Sequence, residues 1–371
     1  MKRNVILFVI CLFTAFLIGC VKHTETPTQT IDATETFIVA AAQTQETADT
    51  PIPTYTPTPV PPTVVPTPEA TQPPYVAADG IYTIAWMSDP QHYSNKFPET
   101  YYAMTEFLRD HREELRLAYV IQTGDLVNNA DEEEQWTVAD RAQSYIDEIP
   151  NGVLAGNHDV PKKIGYTAFC KVFGSARYED KPWYGGSYQD NRGHFDLLTI
   201  GQTEFIFVYM GYGPTKQAYQ WVRDTFKSYP DRIGVLCLHD YYTNDQTLSE
   251  DGQKWYDLVV KKTSNLYMVL CGHRYGAYCF PETFDDDKDG TPDRTVYQML
   301  FNYQRTLHDG GAGYLRLIQL NDQSGTMHVL TYSPLWDDFN RFDDPAMREE
   351  YYEFDESHED FILPMPWRIT Y

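Results

Sequence analysis

Short apolar runs recur along this chain, and several stop abruptly at an aspartate, an asparagine or a histidine. Ile81 to Met87, Ala118 to Gln122, Val153 to Ala155, Ile233 to Leu238 and Leu266 to Cys271 have the length and composition of buried strands. Between them, Glu99 to Leu117 and Glu132 to Ile149 space their apolar residues as amphipathic helices do, and shorter helices are predicted near 166–173, 216–226 and 252–262. His194 to Ile200 and Glu204 to Met210 read as a strand pair, and Thr295 to Leu300, Tyr314 to Leu320 and Met327 to Thr331 as further strands. Strand–helix alternation followed by a β-rich second half predicts a layered α/β domain with mixed sheets.

The first 78 residues do not share this patterning. Lys2 and Arg3 precede the apolar run Val5 to Phe16, and Leu17-Ile18-Gly19-Cys20 closes it, which reads as an export signal over 1–20. That ending resembles the bacterial lipobox, in which cleavage before the cysteine leaves it as a lipid-bearing N-terminus, so Cys20 is the expected lipidation site. Residues 21–78 are rich in Thr, Pro, Ala, Gln and Glu; repeated proline removes backbone donors and favours extended chain, so this stretch is expected to be a disordered tether. The expectation is an exported protein, lipid-anchored to the outward face of a bacterial membrane, with its folded domain over 79–371 and an acidic, solvated extension from about 337.

Charge narrows the partners. With 29 Lys and Arg against 53 Asp and Glu, the formal net charge is −24, a surface that repels nucleic-acid backbones and anionic headgroups, so neither duplex binding nor membrane contact beyond the lipid is expected. Cys237 and Cys271 fall within apolar runs as small buried hydrophobes, while Cys170 and Cys279 are a disulfide option in an exported chain.

The polar stops carry the chemistry. Ser88-Asp89-Pro90-Gln91-His92, Gly124-Asp125-Leu126-Val127-Asn128, Gly156-Asn157-His158-Asp159, His239-Asp240 and Gly272-His273-Arg274-Tyr275 each follow one of the buried runs. Residues at the same ends of neighbouring strands converge on one crevice, so parts distant in sequence would build a single site. Carboxylates, amide oxygens and imidazoles suit manganese, iron or zinc.

Taken together, the five blocks resemble those of the calcineurin-like metallophosphoesterases: Asp-x-His, Gly-Asp-x-x-Asp/Asn, Gly-Asn-His-Asp/Glu, a lone His and Gly-His-x-His. The resemblance covers about Ile84 to Tyr275. It implies a two-sheet sandwich flanked by helices (α-β-β-α), two divalent or trivalent ions sharing one carboxylate, and hydrolysis of phosphate mono- or diesters by metal-activated water. Carried over, Asp89 would bind the first ion, Asp125 both, and Asn157, His239 and His273 the second. His158, hydrogen-bonded by Asp159, would stay off the metals and protonate the leaving oxygen. Two departures fall on the first ion: Gln91 and Tyr275 stand where the family has histidines, which leaves Gln91, His92 and Tyr275 as its remaining ligand options.

Three further features have their own readings. Asp285, Asp287, Asp289 and Asp293 occupy positions one, three, five and nine of a calcium-loop pattern with Gly290 at six, but position twelve is Val296, and an acidic hairpin turn has the same signature. Asn302-Tyr303-Gln304 and the glycines at 310, 311 and 313 fit a turn between strands, or a wall of the substrate pocket. Arg192 and His194 read as ordinary surface or strand residues that a substrate would meet only if the pocket extends to them. Two functional alternatives to the hydrolase stand beside it: a degenerate domain that only binds, motivated by Gln91 and Tyr275, and a calcium-dependent adhesion module resting on the 285–293 loop.

Overall fold

Strand β1 (Ile81–Met87) shows why the molecule is layered. Its side chains alternate, Ile84 and Trp86 entering one buried cluster and Ala85 and Met87 another, so both faces of the strand are covered. The computed structural model describes residues 73–304, 310–343 and 355–371; Cys20, the export signal and the tether as far as residue 72 lie outside them. The described residues fall in one compact unit, Thr67–Tyr371.

In chain order the other strands are β2 (Leu117–Gln122), β3 (Asn151–Val153), β4 (Tyr184–Tyr188), β5 (Gly193–Ile200), β6 (Thr203–Met210), β7 (Ile233–Leu238), β8 (Leu266–Cys271), β9 (Gly276–Phe284), β10 (Arg294–Asn302), β11 (Leu315–Asn321), β12 (Thr326–Ser333), β13 (Asp338–Phe339) and β14 (Phe361–Pro364). The first sheet runs β13-β12-β11-β1-β2-β3 with β14 beside β12, and the second runs β4-β5-β6-β7-β8-β10-β9. Within them β1, β2 and β3 are parallel, as are β6, β7, β8 and β10.

The sheets face each other across an aromatic core, with Tyr119 stacked on Phe207 at 4.2 Å and Trp86 edge-on to Phe301 at 5.6 Å. After the short α1 (Gln91–Lys96), helices α2 (Pro98–Asp110), α3 (Arg112–Leu115), α4 (Glu133–Ser144) and α5 (Thr167–Phe173) lie on the first sheet, burying Tyr101, Leu108, Trp136 and Phe169 against Val120, Val153 and Leu317. Helices α6 (Lys216–Ser228) and α7 (Glu250–Leu258) cover the second, joined by Tyr219 and Trp255 at 4.4 Å. The α-β-β-α sandwich is the expected fold.

The differences from the sequence reading are local. The helix expected over Glu99 to Leu117 breaks at His111, and Arg116, at φ 47°, turns the chain so that Leu117 opens β2. The one expected to reach Ile149 stops at Ser144, ahead of Pro150, which disfavours helix in the residue before it. The Cys170–Cys279 pairing is not made: all four described cysteines are free, with Cys170 on α5 donating to the Asp190 carbonyl and Cys279 on edge strand β9 of the other sheet. The C-terminal stretch packs Phe342 on the domain as expected, but it is less solvated than expected, since β14 pairs with β12 and Glu359 and Met365 are buried.

Candidate active site

Each polar block sits where a strand ends. Asp89 follows β1, Asp125 follows β2, Asn157 and His158 follow β3, His239 follows β7 and His273 follows β8, so both sheets deliver their C-terminal strand ends to one place. Backbone geometry is unusual there. Asp89, Asp125 and His273 have φ of 54°, 53° and 68°, a left-handed conformation uncommon outside glycine and clustered at functional sites. The preceding glycines permit the crowding: a Cβ on Gly156 would fall on the Asp125 carboxylate and one on Gly272 on the side chains of Ser88 and Asp89.

Asp125, His239 and His273 each offer a ligand atom, and these atoms lie within 4.8 Å of one another. His239 is the informative member. Its Nδ1 faces the Thr123 carbonyl at 2.8 Å and donates to it, leaving Nε2 to take a proton or a cation. That Nε2 is 3.3 Å from Asp125 Oδ1 and 3.1 Å from Asn157 Oδ1. Three electron-rich atoms facing one another need a proton or a cation between them, and a histidine fixed by a backbone carbonyl through its other nitrogen is the usual metal-ligand arrangement. These residues fit a metal ion.

Electrostatics agree. Burial, with repulsion from Asp125, pushes the Asp89 carboxyl up to about 7 against the pull of His239. At His239, burial lowers the affinity for a proton, but the charge and hydrogen bond of Asp125, with the charge of Asp89, outweigh it and raise the pKa to about 10. His273 is drawn down to about 3 by burial and by its neighbour His239. The buried carboxylates favour positive charge at the position of His239 Nε2.

The first-ion side is built differently. Asp89 accepts from the Ser88 hydroxyl and from the His273 backbone N–H at 3.0 and 3.1 Å. Gln91, 1% exposed at the start of α1, places Nε2 3.3 Å from Asp125 Oδ2 and also meets Gln304. Tyr275 is half-buried just ahead of β9. His92, beside Gln91 on α1, is half-buried; burial and then repulsion from His158 lower its pKa.

His158 stands apart from the imidazoles of the cluster. Its backbone N–H donates to Asp125 Oδ1 at 2.9 Å, and its ring Nδ1 meets the Asn128 carbonyl at 2.8 Å. The expected bond from Asp159 is therefore not made. Asp159 is fully buried and accepts from the backbone N–H groups of Gly156 at 2.7 Å and Val127 at 2.9 Å, tying the loop after β2 to the loop after β3. Its two oxygens are consumed by the backbone, and a backbone carbonyl orients the histidine instead. Tyr212 lines the same crevice, 6.1 Å from the rings of His239 and His273.

His194 belongs elsewhere: it is buried between Tyr178, Tyr184 and Tyr209 and lies 3.6 Å from Asp196. Arg192 is exposed over the Tyr166 ring. Asp285, Asp287 and Asp289 converge too, on the exposed loop between β9 and β10. The sequence reading assigned no individual role to Gln304, offered only within a turn or pocket-wall segment, or to Asn128, named only within the second polar block. The signal for Gln304 was its place after the end of β10, beside β8 in the sheet; for Asn128, which acts through its carbonyl, side-chain chemistry gives none.

Residues 82–276 match the profile of calcineurin-like phosphoesterases. The uncharacterized protein YvnB of Bacillus subtilis strain 168 is 44% identical over 269 residues, 72% of this chain; the chain spans only 21% of that relative's length. Among solved structures, a purple acid phosphatase from yellow lupin seeds is similar with a TM-score of 0.48 and 10% identity over 78% of this chain and 54% of its own. The protein TT1561 of Thermus thermophilus has a TM-score of 0.43 and 12% identity over 68% of this chain and 99% of its own. With more than half of its length inside the matched region, the chain belongs to the calcineurin-like phosphoesterases, a family of metal-dependent phosphoric ester hydrolases.

Proposed function

We propose that this domain hydrolyses phosphate mono- or diesters with two metal ions, one held by Asn157, His239 and His273, the other by Asp89 and its neighbours, and both shared by Asp125. The observation that carries this reading is His239, whose Nε2 faces the oxygens of Asp125 and Asn157 while Nδ1 is committed to the Thr123 carbonyl. Bound there, the ions would lower the pKa of a water towards about 7 and neutralise charge on the phosphoryl oxygens.

The side chains divide the remaining work. Asp125 reaches both halves, Oδ1 towards His239 and Oδ2 towards Gln91. His158, fixed at Nδ1, keeps Nε2 for the reacting ester, where it donates a proton to the leaving oxygen or holds charge on the phosphate. Asp159 acts as a positioning residue, holding the loops that carry Asp125 and His158 in register.

We place the enzyme outside the cell, anchored by lipid on Cys20 and spaced from the membrane by residues 21–72, since Tyr75 already packs on Phe107 and Tyr332; the lipobox-like ending and the proline-rich composition support this. Mass spectrometry of the native N-terminal peptide tests it, and an intact Met1 would overturn it. The hydrolase reading is tested by metal analysis of protein purified without chelator, paired with a panel of mono- and diesters. A protein that binds two ions and cleaves none of them would favour the binding-module alternative, for which Gln91 and Tyr275 are the motive.

A further inference from the structure

Among the described residues, no imidazole is hydrogen-bonded into the half of the site around Asp89, and two carboxamides take that place. Gln91 Nε2 lies between Asp125 Oδ2 and Gln304 Oε1, and Gln304 Nε2 lies 3.4 Å from Asp89 Oδ1 and 3.4 Å from the His273 carbonyl. Gln91 Oε1 is buried with no hydrogen-bond partner, so an unused oxygen lone pair sits inside the site. Exchange of amide O and N takes only a half-turn of the terminal bond, and each glutamine can present its oxygen to the carboxylates.

Gln304 is held there by its neighbours. Its backbone N–H donates to Asn302 Oδ1 at 2.8 Å, Asn302 being fully buried, and Tyr303 donates its hydroxyl to the buried Glu359 at 2.7 Å. Such support gives a side chain a fixed place in a metal site.

We propose that the carboxamides of Gln91 and Gln304 complete, with Asp89 and Asp125, an ion site made of oxygen ligands alone, chemically unlike the half that holds His239 and His273. This rests on the metal-dependent phosphoesterase reading and goes beyond it in assigning a different ion to each half. Carboxylate and carbonyl oxygens favour manganese(II) or magnesium, whereas imidazole favours zinc or iron. The glutamine half takes the harder ion and releases it more readily; the histidine half keeps its ion through purification.

The test uses the full-length mature chain, stripped with chelator and titrated with zinc and manganese(II) in competition, with elemental analysis after dialysis and manganese resonance spectra as readouts. One zinc per chain should survive dialysis, and manganese should enter a second position at least about tenfold more weakly. Gln91→Ala and Gln304→Ala should each weaken that manganese about tenfold or more and leave the zinc stoichiometry at one. Gln91→His, which keeps a polar side chain in place should the alanine variant unfold, should make the second position retain zinc. Two zinc ions held equally tightly by the unaltered chain, or unchanged manganese binding in both alanine variants, would overturn the glutamine assignment and leave the hydrolase reading standing. A stripped and refilled chain that takes up no ion in either half would remove both.

Discussion

Asp125, His239 and His273 meet at the ends of β2, β7 and β8, largely out of solvent, while Asp285, Asp287 and Asp289 meet on an exposed loop between β9 and β10; in both groups the ligand atoms come within 4.8 Å. On the loop the exposed carboxylates accept from the loop's own backbone. Asp285 accepts from the N–H groups of Asp289 and Gly290 at 3.1 and 2.9 Å, Asp289 from Thr291 at 2.7 Å, and Asp293 from Asp286 at 2.7 Å. These bonds shape a turn, and water solvates the rest of the charge. In the crevice Nε2 of His239 faces Asp125 Oδ1, which also accepts the His158 N–H, and Asn157 Oδ1, and burial forbids water the same role. Carboxylate count is therefore a poor guide to a metal site; lone pairs that face one another in a buried place are a better one.

The contrast is broken most strongly at Asp125. Asp125→Asn should abolish retention of both ions and lower ester turnover by more than about 10⁴-fold, beyond the cost of losing one proton-transfer group. Elemental analysis and single-turnover rates check this. Next comes His158→Ala, which should leave metal content intact and slow an alkyl ester by about 10² to 10⁴, with a smaller loss on a nitrophenyl ester whose leaving group needs no proton. A metal-free variant, or one fully active on the alkyl ester, would remove His158 from its assigned role.

Glu359 separates burial from metal binding. Burial pushes its carboxyl up to about 7, against hydrogen bonds from Tyr303 and Phe342, so the fold favours the protonated acid. Its contribution to stability is thus fully present below the unfolded value near 4.5 and is lost as pH rises through about 7, up to about 3 kcal/mol in all. Denaturant melts of the parent and Glu359→Gln across that window should diverge in this direction, the variant lacking the loss. The smallest effect belongs to the loop: Asp287→Ala with Asp289→Ala should shift unfolding by about 0.5 kcal/mol or less and leave ester hydrolysis unaltered. Added calcium should not raise the melting temperature of the parent chain, and a clear rise would restore the loop as an ion site.

How much of this could be read beforehand follows from locality. The blocks at Asp89, Asp125, Asn157, His239 and His273 were legible because each interrupts an apolar run within a few residues, and β1, β7 and β8 were predicted with their observed bounds because they are apolar throughout. Strand β4 was missed because Gly185 and Gly186 dilute it, and β9 because Pro281 and Glu282 read as loop in what is an edge strand. The partner of His158 was misjudged since the family resemblance implied Asp159, whereas the bond goes to a main-chain carbonyl 30 residues away. Gln304 was read only as part of a turn or pocket wall, and its contact with Asp89, across 215 residues, leaves no pattern in the sequence.

The left-handed backbone at Asp89, Asp125 and His273 sets selection for robustness against selection for turnover. Asparagine and glycine occupy that conformation at lower cost than most side chains, and replacing Asp89 by asparagine also removes a carboxylate whose charge burial disfavours. In the absence of metal and above about pH 7, Asp89→Asn should therefore melt at a higher temperature than the parent. A library of this chain screened only for survival of heating in chelator would drift towards such replacements and arrive at sturdier proteins with an inert site, so any effort to toughen the enzyme has to score catalysis in the same round.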